Sequence, residues 1–360
     1  LETLKLLRTV SETIGITGHE EGIREVVKEL WQPFTDEFRT DALGNLIALQ
    51  KGSGQAPRPG LMVAAHMDEI GLIVTGFEDE FLRVQSIRGT DPRAVLGSEV
   101  LVHGRETLPG IIGTRPPHVL KAQERKKIVP WREIYVDVGL PEAELKQQVQ
   151  VGDVISIVRP LITLQNQRAA GKALDNRASV AALTLALEIL RRREHPWDLY
   201  AVATVQEEMG VKGAVTSAYG IDPQAAVAID VTFANQSGDS GPETFEMNKG
   251  PTIAIGANCH PQLVERLREV ADAEEIPYQL EPVPGNSGTD AWAIQVTREG
   301  VPTALLGIPI RYMHQPVESV ALQDIERCAR LLAAFVTHLE GDYRPHWPDE
   351  TESAPETESE

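Results

Sequence analysis

Apolar positions fall into two rhythms along this chain, one helical and one unbroken. Ile23, Val26, Val27 and Leu30 stand at i, i+3, i+4 and i+7, and Val180, Leu183, Leu187 and Leu190 repeat that spacing further on. Leu263, Leu267 and Val270 share a face behind Pro261, a residue tolerated in the first turn of a helix. Ile325, Cys328, Leu331, Leu332 and Phe335 mark a further amphipathic helix. The unbroken apolar runs at 61–65, 199–205, 225–229, 252–255 and 303–306 predict buried strands covered on both faces by helices. Between residues 72 and 158 the pattern changes. Short strands at 72–75, 81–87, 99–103, 133–138 and 153–158 follow one another with little helix between them. Pro109-Gly110 and Val151-Gly152-Asp153 are the expected turns there. The prediction is an α/β domain interrupted by a small β domain.

Composition narrows the setting. A chain of 360 residues with 42% hydrophobic content exceeds the commonest single-core size and buries a substantial core. Residues 1–10 mix charges with leucines in helical rhythm, without the basic start and apolar run of a signal peptide. No apolar stretch approaches the roughly 20 residues of a membrane span. Cys259 and Cys328 are far apart and lack metal-type spacing, so a reducing, cytoplasmic setting is expected. The net charge of −19 argues against nucleic-acid partners, which require a basic face. The lysine- and arginine-rich stretch 121–127 is expected to be a solvated loop. The acidic, apolar-poor end of the chain, residues 346–360, is expected to be disordered.

The chemistry-bearing residues cluster at predicted strand ends. His66 and Asp68 follow the first buried run, Glu207 and Glu208 the second, Asp230 the third, and His314 comes several residues after the last. Loops at the carboxyl ends of strands in an open α/β sheet converge on one crevice, so these residues are expected to meet. Imidazole and carboxylate are the usual ligands of zinc, cobalt or manganese. Two histidines and three carboxylates suffice for two such ions only if one carboxylate bridges. Asp175, beside Lys172 and Asn176, is the natural bridge, although an Asp at a helix start is more often an N-cap. His66 and Asp68 project to one side of an extended segment, so the Asp is placed to hydrogen-bond the second ring nitrogen. Glu207 and Glu208 are adjacent like charges that call for compensating cations. One suits a ligand and the other a base. Thr289 and Asp290 read as helix caps, with substrate contact as the minority alternative. His118 and His260 remain without a firm role.

Six segments together resemble the M42 metallo-aminopeptidase family, which includes the tetrahedral TET peptidases. They are Ala65-His66-Met67-Asp68-Glu69-Ile70-Gly71-Leu72, Lys172-Ala173-Leu174-Asp175-Asn176-Arg177, Val205-Gln206-Glu207-Glu208-Met209-Gly210, Ala228-Ile229-Asp230-Val231-Thr232, Ser287-Gly288-Thr289-Asp290-Ala291 and Arg311-Tyr312-Met313-His314-Gln315-Pro316-Val317-Glu318. They occur in the family's order over nearly the whole chain. The resemblance implies one metal on His66 and Asp230, a second on Glu208 and His314, and Asp175 bridging. Asp68 would orient His66, and Glu207 would be the general base. It implies a mixed-sheet, di-zinc peptidase (phosphorylase/hydrolase-like) fold at 1–68 and 160–345, with a PDZ-like β domain inserted at 69–159. It further implies two divalent ions per subunit (zinc, cobalt or manganese), peptide substrates, and dimers assembling into a tetrahedral dodecamer. Asn176 and Gln315 stand where the family mostly has a second acid and a threonine. A cis Asp175–Asn176 bond is expected by analogy with related di-zinc peptidases.

A related di-metal amidase, deacylase or carboxypeptidase would use nearly the same ligands. A glycoside hydrolase fits poorly, because its two carboxylates must flank a bond from about 5 to 9.5 Å apart, whereas Glu207 and Glu208 are neighbours. A non-catalytic assembly protein would be expected to lose a ligand or the base.

Overall fold

The computed structural model describes residues 1–123 and 125–346. The acidic tail discussed above lies outside the described residues from 347 onward. Among the described residues, an 11-stranded mixed sheet runs in the order Glu37–Thr40, Leu46–Gln50, Asp198–Thr204, Gly60–His66, Ala225–Phe233, Thr303–Arg311, Glu318–Ala321, Arg168–Gly171, Ile162–Leu164. Thr252–Gly256 branches antiparallel from Thr303–Arg311 and carries Gln279–Val283 parallel on its far side. The central strands from Asp198–Thr204 to Thr303–Arg311 are mutually parallel, so their carboxyl ends emerge along one edge. The outer strands are antiparallel.

Helices cover both faces of the sheet. On one face Leu174–Leu190 packs on the sheet between Thr3–Glu12 and Leu322–Thr337, which also touch the sheet. Nearly all of its side chains are buried, which accounts for its run of Ala178, Ala181, Ala182 and Ala186: small residues let the neighbouring elements approach it closely. On the other face a smaller cluster joins Met62, Ala64 and Val202 to Ala214, Ala218, Ala293 and Ile294 of the helices Lys212–Ile221 and Asp290–Gln295. The four helices predicted from periodicity are all present, as Glu21–Trp31, Leu174–Leu190, Pro261–Ala273 and Leu322–Thr337.

The segment after His66 closes into a barrel with a core of its own. Its strands follow the order Leu72–Glu78, Phe81–Ser86, Ile134–Asp137, Thr107–Thr114, Glu99–His103, Val154–Ile157. Leu72, Val84, Val100, Val102, Ile134 and Ile155 point inward. The expected turn at Pro109-Gly110 is instead part of the strand Thr107–Thr114. There the strand is paired on one side only, because its ladder to Ile134–Asp137 begins at Ile111. A proline without an N–H is tolerated in such an edge-like position. Lys121–Gln123 and Arg125–Lys127 are exposed.

Candidate metal centre

The parallel strands deliver the predicted residues to one place, with two adjustments. Gly60–His66 ends on His66, and Glu207 and Glu208 follow Asp198–Thr204 in a loop. Asp230 lies within its strand rather than after it, because Val231, Thr232 and Phe233 stay in register with Ile308, Pro309 and Ile310. The last strand likewise continues to Arg311, leaving His314 only just beyond it. Asp175 sits at the start of Leu174–Leu190 with extended dihedrals (φ −77°, ψ 103°), and its bond to Asn176 is cis.

Asp175 is not an N-cap here. One of its oxygens, Oδ1, is 3.2 Å from His66 Nε2, and the other, Oδ2, is 3.2 Å from His314 Nε2. Asp230 Oδ1 lies 3.8 Å from His66 Nε2, and Glu208 Oε2 lies 3.6 Å from His314 Nε2. Two groups able to hold a metal ion result, His66 with Asp175 and Asp230, and Asp175 with Glu208 and His314; in each, donor atoms lie within 4.8 Å of one another. Glu207 Oε2 faces the same space, 3.8 Å from His66 Nε2. Glu207, Glu208, Asp230 and both histidines line a cavity of about 420 Å³.

The electrostatics of this cluster call for cations. Burial pushes the Glu207 carboxyl up to about 10 and that of Glu208 up to about 7, and it drives Asp230 well above the usual carboxylate range. Burial also acts on Asp175, but His314 and His66 hold it below its ordinary value. His314 is raised to about 9, chiefly by its bond to Asp175. Burial opposes the charged form of His66, yet Asp175 and Asp68 raise it well above an ordinary imidazole. Carboxylates this crowded and this dry hold protons unless something positive replaces them. Hard or borderline divalent ions suit this nitrogen and oxygen donor set, so the residues fit such a group.

Several residues behind the cluster fix its shape. Asp68 is fully buried on the far side of His66, with Oδ1 3.4 Å from Nδ1. The same carboxylate accepts hydrogen bonds from the backbone N–H groups of Glu207 (3.0 Å) and Glu208 (3.2 Å) and from the Thr17 hydroxyl (2.9 Å). Glu318, whose role the residue pattern did not reveal, is buried and accepts from the backbone N–H of Asp175 (2.9 Å) and of His314 (3.0 Å). Its position four residues after His314 was the available signal. Beneath them, buried Arg177 donates to the carbonyls of Met67 (2.8 Å), Thr13 (2.9 Å) and Val10, and Glu69 pairs with Lys172 at 2.5 Å. Ala173, Gln206, Val211, Tyr312 and His314, all beside the cluster, adopt left-handed dihedrals that non-glycine residues seldom take. Such conformations cost about 1–3 kcal/mol each and persist where surrounding contacts impose them.

The remaining candidates separate. Thr289 lines the cavity but makes no capping hydrogen bond, and its hydroxyl instead meets that of Ser287. Asp290 is buried and accepts from the Thr204 hydroxyl. His118 is exposed in the short turn Pro117–Val119, and His260 is buried at the start of Pro261–Ala273; neither lines the cavity.

Fold and centre together define an α/β protein with a two-lobed imidazole and carboxylate site able to hold metal, set beside a small barrel. A family model described as M42 glutamyl aminopeptidase matches residues 44–331. The chain therefore belongs to that family of peptide hydrolases. It is 38% identical to a lysyl aminopeptidase of Pyrococcus furiosus over 348 residues, covering 95% of this chain and 99% of that protein. Its structure is similar to that of a TET aminopeptidase from a marine sediment archaeon of the Thaumarchaeota, with a TM-score of 0.88 at 33% identity over 94% of this chain and 97% of the other. The TET1 peptidase of Pyrococcus horikoshii, described as able to assemble into a tetrahedron or a large octahedral shell, matches with a TM-score of 0.83 at 32% identity over 94% and 100%. Large mixed sheet and small barrel are thus shared with TET peptidases. No helix among the described residues is long and apolar enough to cross a membrane.

Proposed function

We propose that the chain is a metal-dependent aminopeptidase that removes N-terminal residues from peptides. The observation that carries this reading is the division of Asp175, whose two oxygens face two different imidazoles. His66 and Asp230 would hold one divalent ion and Glu208 and His314 another, with Asp175 contributing to both groups. Two such ions, zinc, cobalt or manganese, supply Lewis acidity toward the scissile carbonyl and lower the pKa of water at the site.

The protein's own groups do the rest. Glu207 takes a proton from the attacking water as its oxygen adds to the carbonyl carbon. It returns that proton to the amine as the carbon–nitrogen bond breaks, which balances the reaction. Asp68 holds the His66 ring through Nδ1, leaving Nε2 for ligation. Glu318 holds the backbones of Asp175 and His314. In this reading residues 1–68 and 160–345 form the catalytic domain, of the di-zinc peptidase type, and residues 69–159 form an inserted PDZ-like domain. The assemblies described for TET1 support a homo-oligomer for this chain, and we propose that dimers build a tetrahedral dodecamer in the cytoplasm. The names of relatives leave the preferred residue open, since lysyl and glutamyl aminopeptidases both align along most of the chain.

The test is a chelator-stripped chain reloaded with each metal and assayed on aminoacyl anilides and N-acyl amino acids, with its mass measured in solution. Metal-restored anilide cleavage is expected. Cleavage that survives stripping, or a preference for N-acyl amino acids, rejects the reading.

A further inference from the structure

We infer that Glu281 selects a cationic side chain, lysine or arginine, on the residue being released, an inference that rests on the aminopeptidase reading above. The sheet places this carboxylate on the cavity wall, bonded to Thr232, two residues along the strand from Asp230. Asp230 is in register with Gly307, Gly307 with Thr252, and the strand of Thr252 pairs with Gln279–Val283. From Asp230 to Thr232, the residue that Glu281 bonds, is roughly 7 Å along the strand. Gly307 stands between the Asp230 and Thr252 strands, and a Cβ added there would come within 3.0 Å of Glu281 Oε2. That Cβ would also collide with Thr252 Oγ1, so glycine is required there, and the cavity wall continues past it as a slot from Asp230 along Gly307 to Val283 and Glu281.

The slot has the chemistry of a long cation's receptor. Leu305 and Val283 line it and suit an aliphatic stem. Glu281 Oε1 accepts from the Thr232 hydroxyl at 2.7 Å, and Oε2 accepts from the Thr252 hydroxyl at 2.5 Å. Two donors on separate strands thus fix its orientation. No lysine, arginine or histidine among the described residues forms an ion pair with it. A half-buried carboxylate, oriented but lacking a counter-ion, gains one when an ammonium or guanidinium enters. The cationic wall residue, Arg88, lies on the other side: it is exposed, and its neighbour Gly89 abuts the His314 ring. A negatively charged side chain directed down the slot would meet Glu281, not Arg88.

The experiment compares kcat/KM of the metal-loaded full chain on anilides of lysine, arginine, norleucine, leucine and glutamate. Norleucine keeps the unbranched apolar stem and removes the charge. Lysine is expected to exceed norleucine by about 10–100-fold, and Glu281→Gln to bring that ratio down toward one. Measurable norleucine cleavage and a normal melting profile identify a folded variant. Should Glu281→Gln fail to fold, competitive inhibition of the wild type by free lysine against free norleucine decides, with tighter lysine binding supporting the assignment and equal binding overturning it. Equal lysine and norleucine turnover in the wild type, a preference for glutamate, or a ratio unmoved by Glu281→Gln also overturns it. Absence of cleavage of every anilide with every metal instead removes the aminopeptidase reading, and the assignment with it.

Discussion

Replacing Asp68 with asparagine tests the geometry behind the cluster most directly. Asp68 is wholly buried and serves four groups with two oxygens: Oδ1 faces Glu207 N–H and His66 Nδ1, and Oδ2 faces Glu208 N–H and the Thr17 hydroxyl. Asparagine keeps one oxygen and presents an NH₂ in place of the other. Whichever way the amide turns, one backbone N–H of the 207–208 loop then points at a donor. Leaving a buried donor unmatched costs about 1–3 kcal/mol, and replacing charge-assisted bonds with neutral ones adds to it, so Asp68→Asn should lose about 2–4 kcal/mol of stability. If the NH₂ takes the Oδ1 place, His66 Nδ1 becomes an acceptor and its proton moves to Nε2, the atom aimed at Asp175. If the oxygen takes it, the Glu208 loop loses its anchor instead. Either arrangement should weaken metal binding about 10–100-fold, the range typical for groups that orient a ligating histidine. Calorimetric titration of stripped protein with zinc, paired with urea unfolding, measures both effects. Wild-type affinity in a folded Asp68→Asn variant refutes the orienting role, and an unchanged unfolding midpoint refutes the hydrogen-bond accounting.

Other perturbations separate chemistry from structure. Glu207→Gln should bind the same number of ions while kcat falls about 10²–10⁴-fold, the usual contribution of a general base; near-normal turnover rejects that role. Phe335→Ala, in a fully buried position of Leu322–Thr337, should cost about 3–5 kcal/mol and lower the denaturation midpoint with little change in slope. A midpoint within error of wild type would mean that the helix is not part of the cooperative core. Burial pushes the Cys259 thiol from 9.0 up to about 11, with the Glu281 charge adding to the shift. The folded chain therefore binds that proton more tightly than the unfolded one, so the contribution is complete below pH 9.0 and disappears as pH rises through about 11. Wild type should lose about 3 kcal/mol more than Cys259→Ala over that interval, and parallel stability curves would show that the thiol stays wet.

The crowding of acids explains why the site is built where it is. His66 and His314 favour the negative charge of Asp175. Glu207, Glu208 and Asp230 have no comparable partner and are raised by burial. The left-handed residues at 173, 206, 211, 312 and 314 bracket the same groups. Buried charge is concentrated at this edge of the sheet and offset by the core behind it.

Local sequence carried a large part of this picture. Spacing of 3.6 residues located the helices at 21–31, 174–190, 261–273 and 322–337, because each buries one face and the period is set by the backbone itself. Unbroken apolar runs located the central strands, because a strand covered on both faces has no polar side. His66, Glu207, Glu208 and His314 were legible as a group through their places after such runs. Other features depended on contacts between distant residues. Thr107–Thr114 hides behind Pro109, and only its one-sided pairing makes that residue acceptable in a strand. The Asp230 strand runs on to Phe233 because its neighbour stays in register with it, which the local pattern cannot express. The even split of Asp175 between two histidines, the grip of Glu318 on two backbones and the approach of Glu281 to Gly307 each join residues far apart in the chain. Sequence alone determined which residue types were available and which faces had to be buried, since those follow from side-chain chemistry and backbone period. Tertiary structure decided which oxygen faces which nitrogen, because that is fixed only when separate strands are held in register.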